Sequence, residues 1–120
     1  MATLATGVYV FSADWTYNGS DVTITIPDGW MILDVISNIQ TALDGTGTVF
    51  VGYTGDTDAF LRDADQGSGA AGYYRASEGG AAKPDGYKLG ASEDVVIDVT
   101  AGTAAQGAGE VYILAAEVVS

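Results

Sequence analysis

The chain has 120 residues, 48% of them apolar, enough for one domain with a single core and too few for two. Sixteen carboxylates against Arg62, Arg75, Lys83 and Lys88 give a formal charge of −12. Such a surface repels phosphate backbones and anionic lipid, which argues against nucleic-acid and membrane partners and favours a basic partner or bound cations.

Seventeen glycines, about twice the usual share, separate short runs of Val, Ile, Thr and Tyr, the pattern of an all-β domain with many turns. Residues 1–6 are small and weakly apolar and read as a flexible arm or as a segment laid along a neighbouring subunit. The start MATLATGVYVF has no basic region and no long apolar core, so it does not read as a secretory signal. Residues 7–13 form the first strand, apolar on both faces. Residues 14–20 form a turn around Asn18-Gly19. In residues 21–26 Val22, Ile24 and Ile26 point inward, and Pro27-Asp28-Gly29 ends that strand.

Residues 30–44 admit two readings. As a strand, Met31, Leu33, Val35, Ile39 and Leu43 share a face, with a bulge near Ser37-Asn38. As a helix, Ile32, Val35, Ile36, Ile39 and Leu43 share a stripe closed by Gly45. The β-branched residues with Ser37, Asn38 and Thr41 favour the strand.

Residues 48–53 form a strand in which Gly52 leaves a gap for an aromatic. Residues 56–65 read as a helical turn or compact loop capped by Asp56 or Asp58, with Phe60 and Leu61 plugging the core. Short strands follow at 73–76 and 87–89, separated by the polar loop 77–86, a candidate contact loop. Residues 93–100 alternate again, with Val95, Ile97 and Val99 inward. Residues 101–109 form a small-residue loop with nothing large to anchor it. Residues 110–119 form a long final strand, apolar enough to demand cover on both faces from the domain or a partner. The sum is one domain, residues 1–120, an eight-stranded jelly roll or related Greek-key sandwich.

Without His or Cys, the Ser-His-Asp and Cys-His nucleophile systems, thiolate chemistry and nearly every zinc or copper site fall away. GTGTVFVG runs into a strand and not a helix, so it fails the context of a phosphate loop. No carboxylate pair stands out for glycoside hydrolysis. Asp56, Asp58, Asp63 and Asp65 form the most metal-like cluster, with calcium as its candidate ion. Phe60 and Leu61 interrupt it where an EF-hand loop needs ligands and a glycine, which favours a cap plus a solvated acidic face. Among the aromatics, Trp30, Tyr73, Tyr74 and Tyr87 are interface candidates, with Lys83 in the contact loop beside them. In an extended Tyr73-Tyr74 pair one ring must face away from the core.

The runs IPDGWMILDV, ALDGTGTVFVGYTGDTDAFL and EDVVIDVTAGTAAQGAGEVYIL resemble small structural proteins of tailed bacteriophages, including capsid decoration (cement) proteins. The carrying positions are Ile26 to Gly29, Val51 to Leu61 and Val95 to Ile113. The resemblance implies a β-sandwich homotrimer, or another small oligomer, on the outer capsid surface of the virion, with the major capsid protein as partner, and it brings no catalytic residue; no cofactor or metal is expected. The alternatives are a tail or fibre module that binds a host-surface glycan, and a head–tail or tail-tube component.

Overall fold

The structure is a computed structural model and describes residues 3–4, 7–66, 70–79, 87–89 and 93–119. Two antiparallel sheets pack face to face. One has the order β2 (Tyr9–Thr16), β10 (Ala108–Ala116), β4 (Met31–Thr41), β7 (Gly72–Arg75), with the short β8 (Tyr87–Lys88) also on β4. The other has the order β3 (Val22–Ile24), β9 (Val95–Thr100), β5 (Thr48–Tyr53), β6 (Asp56–Leu61). Eight main strands ordered in this way, each alternating between sheets with its chain neighbours except at the β5–β6 hairpin, make a jelly roll. A separate ribbon pairs β1 (Thr3–Leu4) with β11 (Val118–Val119), so two residues of the N-terminal arm lie along the chain's own C-terminal end.

The core is the space between the sheets, where period-2 side chains meet. Val35, Ile39, Val111 and Ile113 enter from one side and Val49, Val51, Val95 and Ile97 from the other, all essentially without exposure. The strand reading of residues 30–44 holds over Met31–Thr41, but the bulges fall elsewhere. Leu114 pairs with Asp34 and Ala115 with Ile32, leaving Leu33 as an extra residue; likewise Gln40 is extra between Ile39 and Thr41. The first bulge flips the alternation, so Ile32 joins Val35, Ser37 and Ile39 inside while Met31 and Leu33 are only half-buried.

Three further expectations need correction. Asp14, Trp15 and Thr16 continue β2 and do not belong to the turn, and Trp15 is buried in the core. Residues 56–61 are a strand and not a helical turn. The gap at Gly52 receives no aromatic; the β6 backbone passes over it, with the Asp56 carbonyl oxygen 2.1 Å from where a Cβ would sit. At this point β5 and β6 slip: Val51 pairs with Leu61 but Tyr53 with Asp56. The slip lets Ala59, Phe60 and Leu61, three consecutive residues, all be buried, which strict alternation forbids.

The loop at 101–109 is anchored after all. Two tight turns, 44–47 and 101–104, face each other across the end of the sandwich. The Thr46 N–H donates to Thr103 Oγ1 (3.0 Å) and the Thr103 N–H to Thr46 Oγ1 (2.9 Å). Gly45 (φ 58°) and Gly102 (φ 54°) make this reciprocal approach possible, since a side chain at either would be strained and would strike the opposite threonine. Asp44 Oδ1 also accepts the N–H groups of Ala105 (2.7 Å) and Gln106 (3.2 Å). Asp44→Ala is therefore expected to lower stability by about 1 kcal/mol, the worth of a capping carboxylate. Amide exchange at Ala105 and Gln106 should accelerate selectively, and unchanged exchange there would contradict the clasp.

Candidate interaction surface

The aspartates that looked metal-like complete the sheet. Below Val51, β6 no longer runs beside β5, and side chains of the following 3₁₀ turn (Asp63–Gln66) take its place. Asp63 Oδ1 accepts the Val49 N–H (3.0 Å) and Gln66 Nε2 donates to the Val49 carbonyl (2.8 Å). Asp65 accepts the Arg62 backbone N–H (3.0 Å) and grips its guanidinium in a two-pronged ion pair (2.9 and 2.8 Å). Asp56 and Asp58 lie back on β6. Among the described residues no group of three or more carboxylates converges as a metal site would require. Neither is a pocket found among the described residues.

Of the named interface candidates, Tyr73 stands out. Its ring points away from the core and is 71% exposed. Tyr74 faces the other way, half-buried against the core, with its hydroxyl donating to the Ala70 carbonyl (3.0 Å). Trp30 is half-buried, with Tyr9 tilted against it at 5.3 Å and Phe11 edge-on at 6.0 Å. Tyr87 stacks on Tyr53 (4.3 Å, 10°) beside Phe60 and donates to the Glu93 carboxylate (2.9 Å). Lys83 and most of the loop 77–86 lie outside the described residues.

Register shows what shares the outer side with Tyr73. Tyr73 pairs with Asn38, Asn38 with Glu110 and Glu110 with Asp14. One row along, Arg75, Ile36, Tyr112 and Ser12 stand side by side; one row further, Asp34, Leu114 and Val10. Val10 is 62% exposed, while Ile36, Tyr112 and Leu114 are half-buried. The outer face of the sheet β2–β10–β4–β7 thus carries a diagonal apolar band, Tyr73, Ile36, Tyr112, Leu114 and Val10, flanked by polar and charged positions. The residues beyond Tyr73 were not singled out from sequence. The signal was present, because residues 7–13 and 110–119 are apolar on both faces, and among the described residues only the inner face is packed against the second sheet.

The charge on this face is negative. Arg75 is spent on Asp34 (2.7 and 3.0 Å), whose buried carboxylate also accepts from the Val35 N–H (2.9 Å). Glu110 accepts a short hydrogen bond from the Tyr112 hydroxyl. Among the described residues the ion pairs are Arg62–Asp65 and Arg75–Asp34, and neither involves Asp14 or Glu110.

Two phenols are displaced from their ordinary value. Burial, then the hydrogen bond to Glu93, pushes Tyr87 up. The bond to Glu110, then burial, pushes Tyr112 up. Both are raised acids that are neutral when protonated. Their stabilising contribution is therefore intact below the unfolded value of about 10 and is lost as pH rises through the folded values. In an alkaline titration followed at 295 nm, a late tyrosinate component is expected, removed stepwise by Tyr87→Phe and Tyr112→Phe. A single early transition for all tyrosines would contradict it.

No family model matches the chain, and no curated protein does. Solved structures do share its fold. One is a chain of the acidic stable capsid structure of Helicobacter pylori bacteriophage KHP30, with 18% identity and a TM-score of 0.68 over 99% of this chain and 97% of that one. Another is a chain of the cyanophage Pam1 capsid asymmetric unit, with 18% identity and a TM-score of 0.66 over 92% of this chain and 84% of that one. At such identity the likeness is one of fold, and it extends over nearly the whole length of each chain.

Proposed function

We propose that this chain is a non-enzymatic structural protein of a phage particle that decorates the outside of the major capsid shell and stabilises it by bridging neighbouring capsid subunits. The observation that carries this reading is the fold shared, over 99% and 92% of this chain, with chains solved within phage capsids. The chemistry agrees with it. Asp63 and Asp65, which looked metal-like in the sequence, finish a strand and a turn, and the conspicuous surface is a broad sheet face. A charge of −12 suits a position away from packaged DNA. Stabilisation by such a protein rests on weak contacts repeated over a lattice, which multivalency sums into a large effect. A homotrimer is the expected unit, because it would present several equivalent faces to the shell at once.

Co-sedimentation with capsid shells assembled without this protein, run beside co-sedimentation with host cells, tests the reading. Binding to shells, with the protein located by electron microscopy on the outside of intact particles, supports it. Binding to cells and not to shells overturns it in favour of a tail or fibre module that recognises a surface glycan. Light scattering of the free protein tests the trimer.

A further inference from the structure

We infer that the outer face of the β2–β10–β4–β7 sheet is the docking face, and that it fits a protein surface of apolar side chains rimmed by lysine or arginine. On the decoration reading, on which this inference rests, that surface belongs to the major capsid protein.

Of the four strongly exposed large apolar side chains among the described residues, Val8, Tyr9, Val10 and Tyr73, the register places two on this face. Val10 and Tyr73, exposed by 62% and 71%, stand on this one face, on strands β2 and β7 that flank β10 and β4. Between them Ile36, Tyr112 and Leu114 make a continuous half-buried floor. An apolar patch with an exposed tyrosine near its edge is the composition of a binding surface and not of a solvated sheet face. The opposite sheet differs: its outer positions include Thr23, Val96, Phe50 and Asp98, none of them an exposed large apolar residue.

Charge selects the occupant. Asp14 and Glu110 sit in the same row as Tyr73, and the one arginine of the face is neutralised by Asp34. A second copy of this chain laid on the face would bring identical carboxylates together across a desolvated contact, which is costly. A basic rim on a different protein converts the same carboxylates into attraction and steers the approach.

The test is co-sedimentation with shells of the major capsid protein alone, with each variant's melting temperature confirming that it folds. Tyr73→Ser is expected to weaken binding at least tenfold, and Val10→Ser with Tyr73→Ser to abolish it. Asp14→Asn with Glu110→Gln should weaken binding at low salt and flatten its dependence on NaCl. Val96→Ser, on the opposite sheet, should bind as the parent does. Parent-like binding by the Tyr73 and Val10 variants overturns the docking face while leaving the decoration reading intact. So does a loss confined to Val96→Ser, or a change in oligomeric state, in place of shell binding, on Tyr73→Ser. Failure of the parent protein itself to bind shells overturns the decoration reading, and this inference with it.

Discussion

Gly52→Ala is expected to cost about 3 kcal/mol or more, and Gly52→Val to prevent folding. The position looks harmless in the sequence, a glycine inside a strand that already reads TVFVGY. In the fold, a Cβ there would lie 2.1 Å from the Asp56 carbonyl oxygen, 2.4 Å from the Thr57 carbonyl carbon and 2.7 Å from the Thr57 Cα. All three are backbone atoms, so no rotamer change relieves the clash. Relief requires β6 to move away from β5, and β6 is what carries Ala59, Phe60 and Leu61 into the core. A loss of that size lowers the melting temperature by roughly 10 °C in a domain of this length. Gly7→Ala supplies the control, since nothing lies within 4 Å of its added carbon. Melting curves by circular dichroism decide the matter: a Gly52→Ala protein that melts with the parent would show that β6 does not press on β5 as described.

The strands that were legible in the sequence are those with an unbroken period of two. Val22, Ile24 and Ile26, and Val95, Ile97 and Val99, point inward as their alternation demands. The ambiguity of residues 30–44 has a physical source. The extra residue at Leu33 turns the inward series of β4 into Ile32, Val35, Ser37, Ile39, whose first step is three residues and not two. Ile32, Val35, Ile39 and Leu43 therefore fall at helix-like spacing although the segment that holds the first three is extended. A pattern of hydrophobicity cannot distinguish a bulged strand from a helix at such a point; pairing with β10 does. The aspartates illustrate a second limit. Their capping chemistry was readable, but their targets were not, because Asp63 serves Val49 and Asp21 serves the Val99 N–H (3.0 Å), pairings created by the fold. The same holds for the candidate surface. The outward turn of one ring in Tyr73-Tyr74 follows from strand geometry alone, whereas its place on the same face as Val10 and Leu114, two rows away, needs the register of four strands.

Charge and fold together explain why so many carboxylates are tolerated. Several act as local acceptors that finish strands and turns: Asp21 and Asp63 at opposite margins of one sheet, Asp44 in the loop clasp, Asp34 under Arg75. Each accepts from backbone or side-chain donors at a sheet margin, in a turn or on the sheet face. On the open face Glu110 accepts the Tyr112 hydroxyl of its own strand, and neither it nor Asp14 is in an ion pair among the described residues, so both can meet a basic partner.

Gln66→Leu should rank with Gly52 among the most damaging changes, at roughly 2–4 kcal/mol, although it replaces a polar core residue with an apolar one of similar size. Gln66 is fully buried and links the two sheets. Its Oε1 accepts the Ser37 hydroxyl of β4 (2.6 Å), and its Nε2 donates to the Val49 carbonyl of β5 (2.8 Å) and more weakly to the Arg62 carbonyl (3.4 Å). Leucine strands the Ser37 hydroxyl and the Val49 carbonyl in an apolar core, and each unsatisfied group costs about 1–3 kcal/mol. The two contributions are separable. Adding Ser37→Ala to Gln66→Leu removes the orphaned hydroxyl, so the double variant is expected to be more stable than Gln66→Leu alone by about 1 kcal/mol, while the loss due to Val49 persists. Urea unfolding of the four proteins of this cycle measures the coupling directly, with parallel slopes confirming a common unfolded state. Strict additivity of the two substitutions would mean that Ser37 and Gln66 do not depend on each other, and the bridge between the sheets would then have to be assigned to apolar contact alone.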